Sequence, residues 1–200
     1  GMTGKFHTTW GEFGGYKHPN ALNYECLATM AFGCKCSVGD QMDPEGLLDE
    51  TTYEIIGSAY AKVKEKEAWC CGAVNVADIG LISSQAISGA DKRENTADTG
   101  AGRILLEKHF LFDVLDQYMN FDKYKLLILP DDILIGGELE NKLKSYIKKG
   151  GKLFFTGSSG LKDDKSGFAF DIGVDYLGPS PYEPDYILPL ENLRDRKSVV

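Results

Sequence analysis

Two apolar runs separated by an amphipathic stretch dominate the second half of this sequence. Lys125 to Leu129 and Lys152 to Thr156 are mostly apolar, as expected of strands buried on both faces of a parallel sheet. Glu138 to Lys149 lies between them, with apolar residues at helical spacing and with acids early and lysines late to complement the helix dipole. Strands that alternate with helices over short links predict an α/β fold with a doubly wound parallel sheet.

Three further segments extend this prediction. Asp78 to Ser84 is typical of a strand whose polar end opens into a loop, and Ile104 to Asn120 is predicted to be a helix that packs on the sheet. A flavodoxin-like sheet has about five strands. Three are clear here, and Tyr186 to Leu190 is a candidate for a fourth.

The first part of the chain predicts a shorter βαβα order that ends near Gly72. Two such strand-helix units leave sheet edges and faces uncovered, so further elements are expected to pack on them. Asp49 is placed to cap the second helix, and Gly33 to end the first. The predicted elements are a strand over Lys5 to Trp10, a helix over Ala21 to Phe32, a strand over Cys34 to Val38 and a helix over Glu50 to Lys66.

The charge of the chain argues against a nucleic-acid partner. The formal net charge is -8, whereas phosphate binding needs Lys and Arg clustered on one face. No stretch approaches the roughly 20 apolar residues that cross a bilayer, and the first residues lack the pattern of a signal peptide. We therefore expect neither a nucleic acid nor a membrane as partner, and the localisation stays open.

The cysteines do not form a recognisable metal motif. The chain has five, all within the first 71 residues, and none is spaced as the CxxC pair of a zinc site. Cys34 and Cys36 stand two apart on the predicted strand, so they point to one face and are expected to be small core residues. We expect no metal and no cofactor.

A resemblance to a known group of proteins rests on longer strings. The string Thr3-Gly-Lys-Phe-His-Thr-Thr-Trp-Gly-Glu-Phe-Gly-Gly15, the string Cys36-Ser-Val-Gly-Asp-Gln41 and the helix that ends Lys66-Glu-Ala-Trp69 resemble the closing segment of the catalytic barrel in a group of glycoside hydrolases. In that group a domain like the trimerisation domain of family 42 β-galactosidases follows the barrel. The second part of the chain resembles that domain, which is itself similar to class I glutamine amidotransferases.

The resemblance implies that the chain consists of two structurally different parts. Residues 1-72 would be the last two strand-helix units of a TIM-like barrel, and residues 73-200 would be the flavodoxin-like trimerisation-type domain. The implied function is a noncatalytic accessory and oligomerisation module of a glycoside hydrolase of carbohydrate metabolism, with the chain itself as partner in a homo-oligomer such as a trimer. A glycosidase needs two carboxylates from different barrel strands, so we expect this chain alone to be inactive.

An alternative function would use side chains after the predicted strands of the first part. Glu12 and Asp40 are candidate catalytic carboxylates, because both follow strands and Glu12 stands between aromatic residues that could stack on a sugar. His7, Trp10 and Tyr16 are candidate carbohydrate-binding residues. Each also has a structural interpretation, as a loop cap, a satisfied histidine or barrel-rim packing.

A third alternative is a small-molecule binder at the carboxyl edge of the predicted sheet. Gly157-Ser-Ser-Gly160 stands where an amidotransferase carries its nucleophile elbow, with Ser158 in the nucleophile's place, but no cysteine and no following His-x-Glu pair is present. Ser83-Ser84 and the stretch from Asp98 to Gly102 could cradle an anion, or Asp98 or Thr99 could simply cap a helix. Ser83, Asp131 and Ser158 would mark such a ligand site.

Overall fold

The computed structural model describes residues 1–88, 95–182 and 184. It divides the chain into two units, Gly1–Ala77 and the residues from Asp78 onward. The boundary expected after Gly72 stays a prediction. None of the helices in the described ranges is long and apolar enough to cross a membrane.

The first unit consists of two strands and two helices around a small core. The strands pair in parallel with Thr3 opposite Val38, and the helices pack on each other around Leu22, Cys26, Ile56 and Ala59. Side chains cap both helices, because Asn20 N–H donates to Nδ1 of His18 and Thr51 N–H donates to the Asp49 carboxylate. The elements are β1 (Met2–Gly4), α1 (Pro19–Ala31), β2 (Ser37–Gly39) and α2 (Glu50–Cys70).

The structure confirms both predicted helices of this unit but corrects the strands. β1 covers Met2–Gly4, so the predicted strand over Lys5 to Trp10 is wrong. Lys5 N–H still donates to the carbonyl oxygen of Gly39 at 2.9 Å, but β2 ends at that glycine and the ladder between the two strands does not continue. A strand needs a neighbour, so the β-favouring residues after Lys5 form a loop.

The predicted strand over Cys34 to Val38 begins only at Ser37. Cys34 is exposed, and Cys36 is half-buried against the core of the first unit. The expectation that both cysteines are core residues is therefore wrong for Cys34. The segment before Ser37 serves instead to connect Gly33, which has a φ of 78°, to the strand.

The second unit is a parallel sheet with helices on both faces. Its strands stand in the order β4-β3-β5-β6, and every pair is parallel. This is the order of the first four strands of a flavodoxin-like sheet, which confirms the predicted fold class. The elements are β3 (Ile79–Ile82), α3 (Ser84–Ser88), α4 (Thr96–Glu107), β4 (Phe112–Leu115), β5 (Leu126–Leu129), α5 (Gly137–Lys148) and β6 (Lys152–Phe155).

The two faces of this sheet are filled differently. On one face Leu105 of α4 packs on Ile79 and Leu81. On the other face Gly80 of β3 leaves room for the side chains of Leu115 and Leu127, since a Cβ at Gly80 would lie 2.5 Å from Leu115 Cδ1 and 2.7 Å from Leu127 Cδ2. The central strand is thus closely packed on both sides.

One predicted helix in this unit is wrong. Ile104 to Asn120 contains the end of α4 and then β4, with His109 at a φ of 59° where the chain reverses. The apolar residues of this stretch fit helical spacing, but β4 forms because β3 offers its unpaired edge with Leu81 opposite Val114. The prediction of a strand over Tyr186 to Leu190 lies outside the described residues.

Candidate functional site

The first unit gathers several of the predicted site residues around Lys5. This lysine is buried, and its Nζ lies 4.0 Å from Asp40 Oδ1 and 5.1 Å from the ring centroid of Tyr16. The same Nζ lies 5.7 Å from the ring centroid of Phe6, and the Trp10 ring centroid lies 5.2 Å from that of Phe6. The cluster therefore joins an ion pair to three aromatic rings, the combination that favours both packing and a flat polar ligand.

Trp10 is the exposed member of this cluster. Its indole lies against Gly39 at the end of β2, in space that a Cβ at that position would take, and yet 62% of the residue is exposed. A large aromatic ring that contacts the backbone and stays mostly exposed can stack with a sugar ring. Such a ring can equally pack against another protein segment.

Glu12 is engaged by its own loop. Its Oε2 accepts hydrogen bonds from the backbone N–H and the hydroxyl of Thr8, each at 2.8 Å. These bonds, led by the one from the Thr8 backbone, lower the pKa of the Glu12 carboxyl. A carboxylate held ionised in this way suits a loop cap better than a general acid, which needs a raised pKa. His7 lies exposed in the same loop.

Tyr16 and Asp49 form a further pair in this unit. The Tyr16 hydroxyl donates to Asp49 Oδ2 at 2.7 Å, while Thr51 N–H and the Thr52 hydroxyl donate to the same carboxylate at 3.0 Å. The hydrogen bond to Asp49 raises the pKa of Tyr16, and the bond from Tyr16 is the main cause that lowers the pKa of Asp49. Tyr16 thus links the loop between β1 and α1 to the N-terminus of α2.

At the carboxyl edge of the second sheet, an internal carboxylate occupies the predicted anion cradle. Asp98 accepts hydrogen bonds from the hydroxyls of Ser83 and Ser84 at 2.7 and 2.9 Å and from the N–H groups of Ser84 and Gln85 at 3.0 and 3.3 Å. The N-cap of α4 is Asn95 rather than Asp98 or Thr99. Asp98 therefore fills the place that a bound anion would need.

Ser158 does not have the geometry of an activated nucleophile. Its hydroxyl donates to the carbonyl oxygen of Asp131 at 2.9 Å, and its N–H donates to the same oxygen at 2.7 Å. The positive φ angles of this turn fall on Gly157 and Gly160 rather than on the serine, unlike a strained elbow. The next hydroxyl, that of the buried Ser159, accepts a hydrogen bond from Ile133 N–H at 2.9 Å. The turn thus fastens β6 to the segment after β5.

Sequence reasoning missed an exposed apolar surface on the second unit. Ile104 and Val114 are 63% and 59% exposed although both belong to regular elements. We call this surface the α4–β4 patch, and its members are Ile104, Leu106, Phe110, Leu111 and Val114. The signal was the apolar run after Arg103, which the helix prediction assigned to the core. Such a surface on a soluble domain commonly marks an interface.

A metal site needs several ligating side chains close together. Among the residues that the structure describes, no group of three or more His, Cys, Asp or Glu side chains is placed to hold a metal ion. The second unit is thus a flavodoxin-like domain that carries the exposed α4–β4 patch.

Comparison with known proteins agrees with this class. Residues 103–172 match the family described as the β-galactosidase trimerisation domain. No curated protein matches the chain. Over these residues the second unit is similar to the β-galactosidase trimerisation domain, which confirms the predicted resemblance.

Solved structures extend the similarity over most of the chain. The α-L-fucosidase isoenzyme 2 from Paenibacillus thiaminolyticus is 46% identical, with a TM-score of 0.85 over 93% of this chain and 29% of that one. A catalytic mutant of the family 42 β-galactosidase Gan42B from G. stearothermophilus is 19% identical, with a TM-score of 0.59 over 84% of this chain and 27% of that one. The β-galactosidase from Rahnella sp. R3 is 16% identical, with a TM-score of 0.58 over 76% of this chain and 26% of that one. The chain thus spans under a third of the length of these relatives.

Proposed function

We propose that this chain is a noncatalytic accessory module that joins copies of a glycoside hydrolase into a homo-oligomer. The second unit would make the contact, and the first unit would be the closing part of a TIM-like barrel. Carbohydrate metabolism as the setting, and a trimer as the assembly, follow from the kinds of protein that the chain is similar to. The hydrolytic activity would belong to a longer protein with the other barrel strands.

The α4–β4 patch is the observation that carries the proposal. All of its members fall within residues 103–172, the stretch that matches the trimerisation domain. β4 is also an edge strand of the described sheet, and edge strands are common sites of pairing between chains. Association at this edge would bury the large exposed apolar side chains beside it, and that burial favours the complex.

The chemistry at the carboxyl edge supports the noncatalytic part of the proposal. Asp98 and the Asp131 carbonyl oxygen engage the serines that would otherwise bind an anion or attack a substrate. Glu12 is bound to Thr8. No observation favours the small-molecule alternative at this edge over the internal contacts.

Light scattering combined with size-exclusion chromatography tests the assembly. We expect the chain to elute as one discrete oligomer, with a trimer as the expected mass, at micromolar concentration. A monomer at every concentration up to the highest soluble one would refute self-association. A dimer would keep the oligomerisation module and reject the trimer.

Carbohydrate binding in the first unit is a second candidate function, favoured by the exposed Trp10 ring in the cluster that also holds the Lys5–Asp40 ion pair. Titration with galactose, fucose and their aryl glycosides, followed by the tryptophan fluorescence, tests it. Trp69 gives a matched control, because it is also exposed, at 84%. We expect Trp10→Ala to abolish any sugar-induced change and Trp69→Ala to retain it. A response that survives Trp10→Ala would exclude this surface.

A further inference from the structure

A cavity of about 560 Å³ in the first unit brings most of the cysteines of the chain together. The thiols come from two places, the segment between α1 and β2 and the C-terminal end of α2, which are far apart in sequence. The volume is in the range of cavities that hold small molecules. The cysteines in its wall are Cys34, Cys36, Cys70 and Cys71.

The charged groups of the same wall favour an anion. Lys35 and Lys64 line the cavity together with a single carboxylate, that of Glu67. Two ammonium groups against one carboxylate leave a positive balance on a chain whose formal net charge is -8. A local balance opposite to that of the whole molecule attracts small anions and repels small cations.

The thiols of this region differ in how freely they can react. Cys26 is buried beside Cys36, and burial raises the pKa of the Cys26 thiol to about 11, with the contact to Cys36 adding to the effect. Cys36 is half-buried against the same core. Cys71 is exposed but is the C-cap of α2, where its N–H donates to the carbonyl oxygen of Glu67 at 2.9 Å.

Cys34 is exposed and shares the cavity wall with Lys35 and Lys64. It lies outside both helices, directly before Lys35, and its Sγ lies 3.9 Å from the carbonyl oxygen of Phe32. A hydrogen bond from sulfur at that distance is weak, so this contact holds the thiol only loosely. We infer that Cys34 is a thiolation site for small anionic disulfides, which Lys35 and Lys64 hold in the cavity. This site is independent of the proposed oligomerisation.

The reaction would be an ordinary thiol-disulfide exchange. The Cys34 thiolate attacks one sulfur of the disulfide, a new S–S bond forms to Cys34, and the original S–S bond breaks. The released half leaves as a thiolate and takes up the proton that Cys34 lost. The protein thiol is oxidised and the small disulfide is reduced, so no other reactant is needed.

Two disulfides of opposite charge test the inference on the intact chain. Glutathione disulfide is anionic and cystamine is cationic, and intact mass with peptide mapping follows the modification of each cysteine. At low ionic strength we expect glutathione disulfide to modify Cys34 about tenfold faster than cystamine does, because the local field sets the encounter rate. The advantage is expected to fall as salt screens the field.

Charge-removing variants separate the site from general surface reactivity. Lys35→Gln with Lys64→Gln is expected to abolish the preference for glutathione disulfide. Lys62→Gln with Lys66→Gln removes the same charge from α2 at positions outside the cavity wall, and is expected to retain it. Cys34→Ser, an exposed change that leaves the core intact, is expected to remove the fast modification. Equal rates for the two disulfides, or an unchanged rate in Cys34→Ser, would overturn the inference.

Discussion

The carboxylate of Asp98 accepts a hydrogen bond from both the N–H and the hydroxyl of Ser84, at 3.0 and 2.9 Å. The first turn of α4 is thereby tied to the segment that follows β3. Since Ser83 and Gln85 donate to the same carboxylate, Asp98→Ala leaves several donors without their partner. We expect a loss of about 1–3 kcal/mol in the free energy of unfolding of the second unit.

The measurement must report on the second unit alone. Both tryptophans, Trp10 and Trp69, belong to the first unit, so their fluorescence does not suffice. Urea-dependent hydrogen exchange of peptides from residues 96–115 does. The exposed Asp132→Ala is the control and is expected to stay within about 0.5 kcal/mol of the parent. Equal effects of the two substitutions would show that the Asp98 contacts contribute nothing.

A charge in the α4–β4 patch is expected to dissociate the oligomer. Val114→Asp places a carboxylate on a side chain that we propose to be buried between copies, and burying an unpaired charge is costly. Leu177→Asp is the matched control, because Leu177 is 96% exposed in the same unit and lies outside residues 103–172. Light scattering should show lower mass for Val114→Asp only. If both variants keep the parent mass, the contact lies elsewhere.

A methyl group at Gly80 tests the packing of the sheet. Gly80→Ala places a Cβ within 2.7 Å of both Leu115 and Leu127 side-chain carbons, and overpacking of this kind costs about 1–3 kcal/mol. Gly100→Ala serves as a control that is expected to change the stability in the opposite direction. Gly100 lies in α4 with open space around it, so alanine there should stabilise the helix by up to about 1 kcal/mol. Hydrogen exchange of the strand peptides measures both, and a neutral Gly80→Ala would contradict the packing.

The Tyr16–Asp49 pair predicts a pH dependence at the start of α2. The hydrogen bond from Tyr16 is the leading cause that lowers the pKa of Asp49 in the folded chain. A lowered folded pKa contributes stability above the unfolded pKa, and this contribution is lost as the pH falls through the folded value. Tyr16→Phe is therefore expected to raise the pKa of Asp49 and to move the acid loss of the cap to higher pH.

Carbon-detected NMR titration of the Asp49 carboxyl measures this pKa directly. Tyr53→Phe is a control on α2 that removes an exposed hydroxyl and is expected to leave the titration unchanged. An Asp49 titration that is the same in Tyr16→Phe and the parent would show that the hydroxyl does not bind the carboxylate in solution.

Local pattern was enough to predict much of the fold. β5, α5 and β6 follow from two apolar runs around an amphipathic stretch, and α2 follows from Asp49 and a long run of helix-favouring residues. The expected burial of β6 on both faces is wrong, because β6 lies at an edge of the described sheet and Phe154 is 56% exposed. In these segments the spacing of apolar residues, the caps and the helix propensity all favour the same element. The match of residues 103–172 to the trimerisation domain agrees with the resemblance that the strings of the sequence carry.

The candidate site needed the tertiary structure. Ile104 to Asn120 carries apolar residues at helical spacing, and only the free edge of β3 decides that Phe112–Leu115 becomes a strand. That choice also leaves Ile104 and Val114 on the surface instead of in the core. Likewise, the sequence suggests an anion site at the serines after β3, but in the structure Asp98, 14 residues after Ser84, occupies that place.

Sequence alone determined which segments could be strands and helices, because that depends on neighbours along the chain. The tertiary structure decided which edges pair, which apolar side chains remain exposed and which polar groups meet, because those contacts join residues that are distant in sequence.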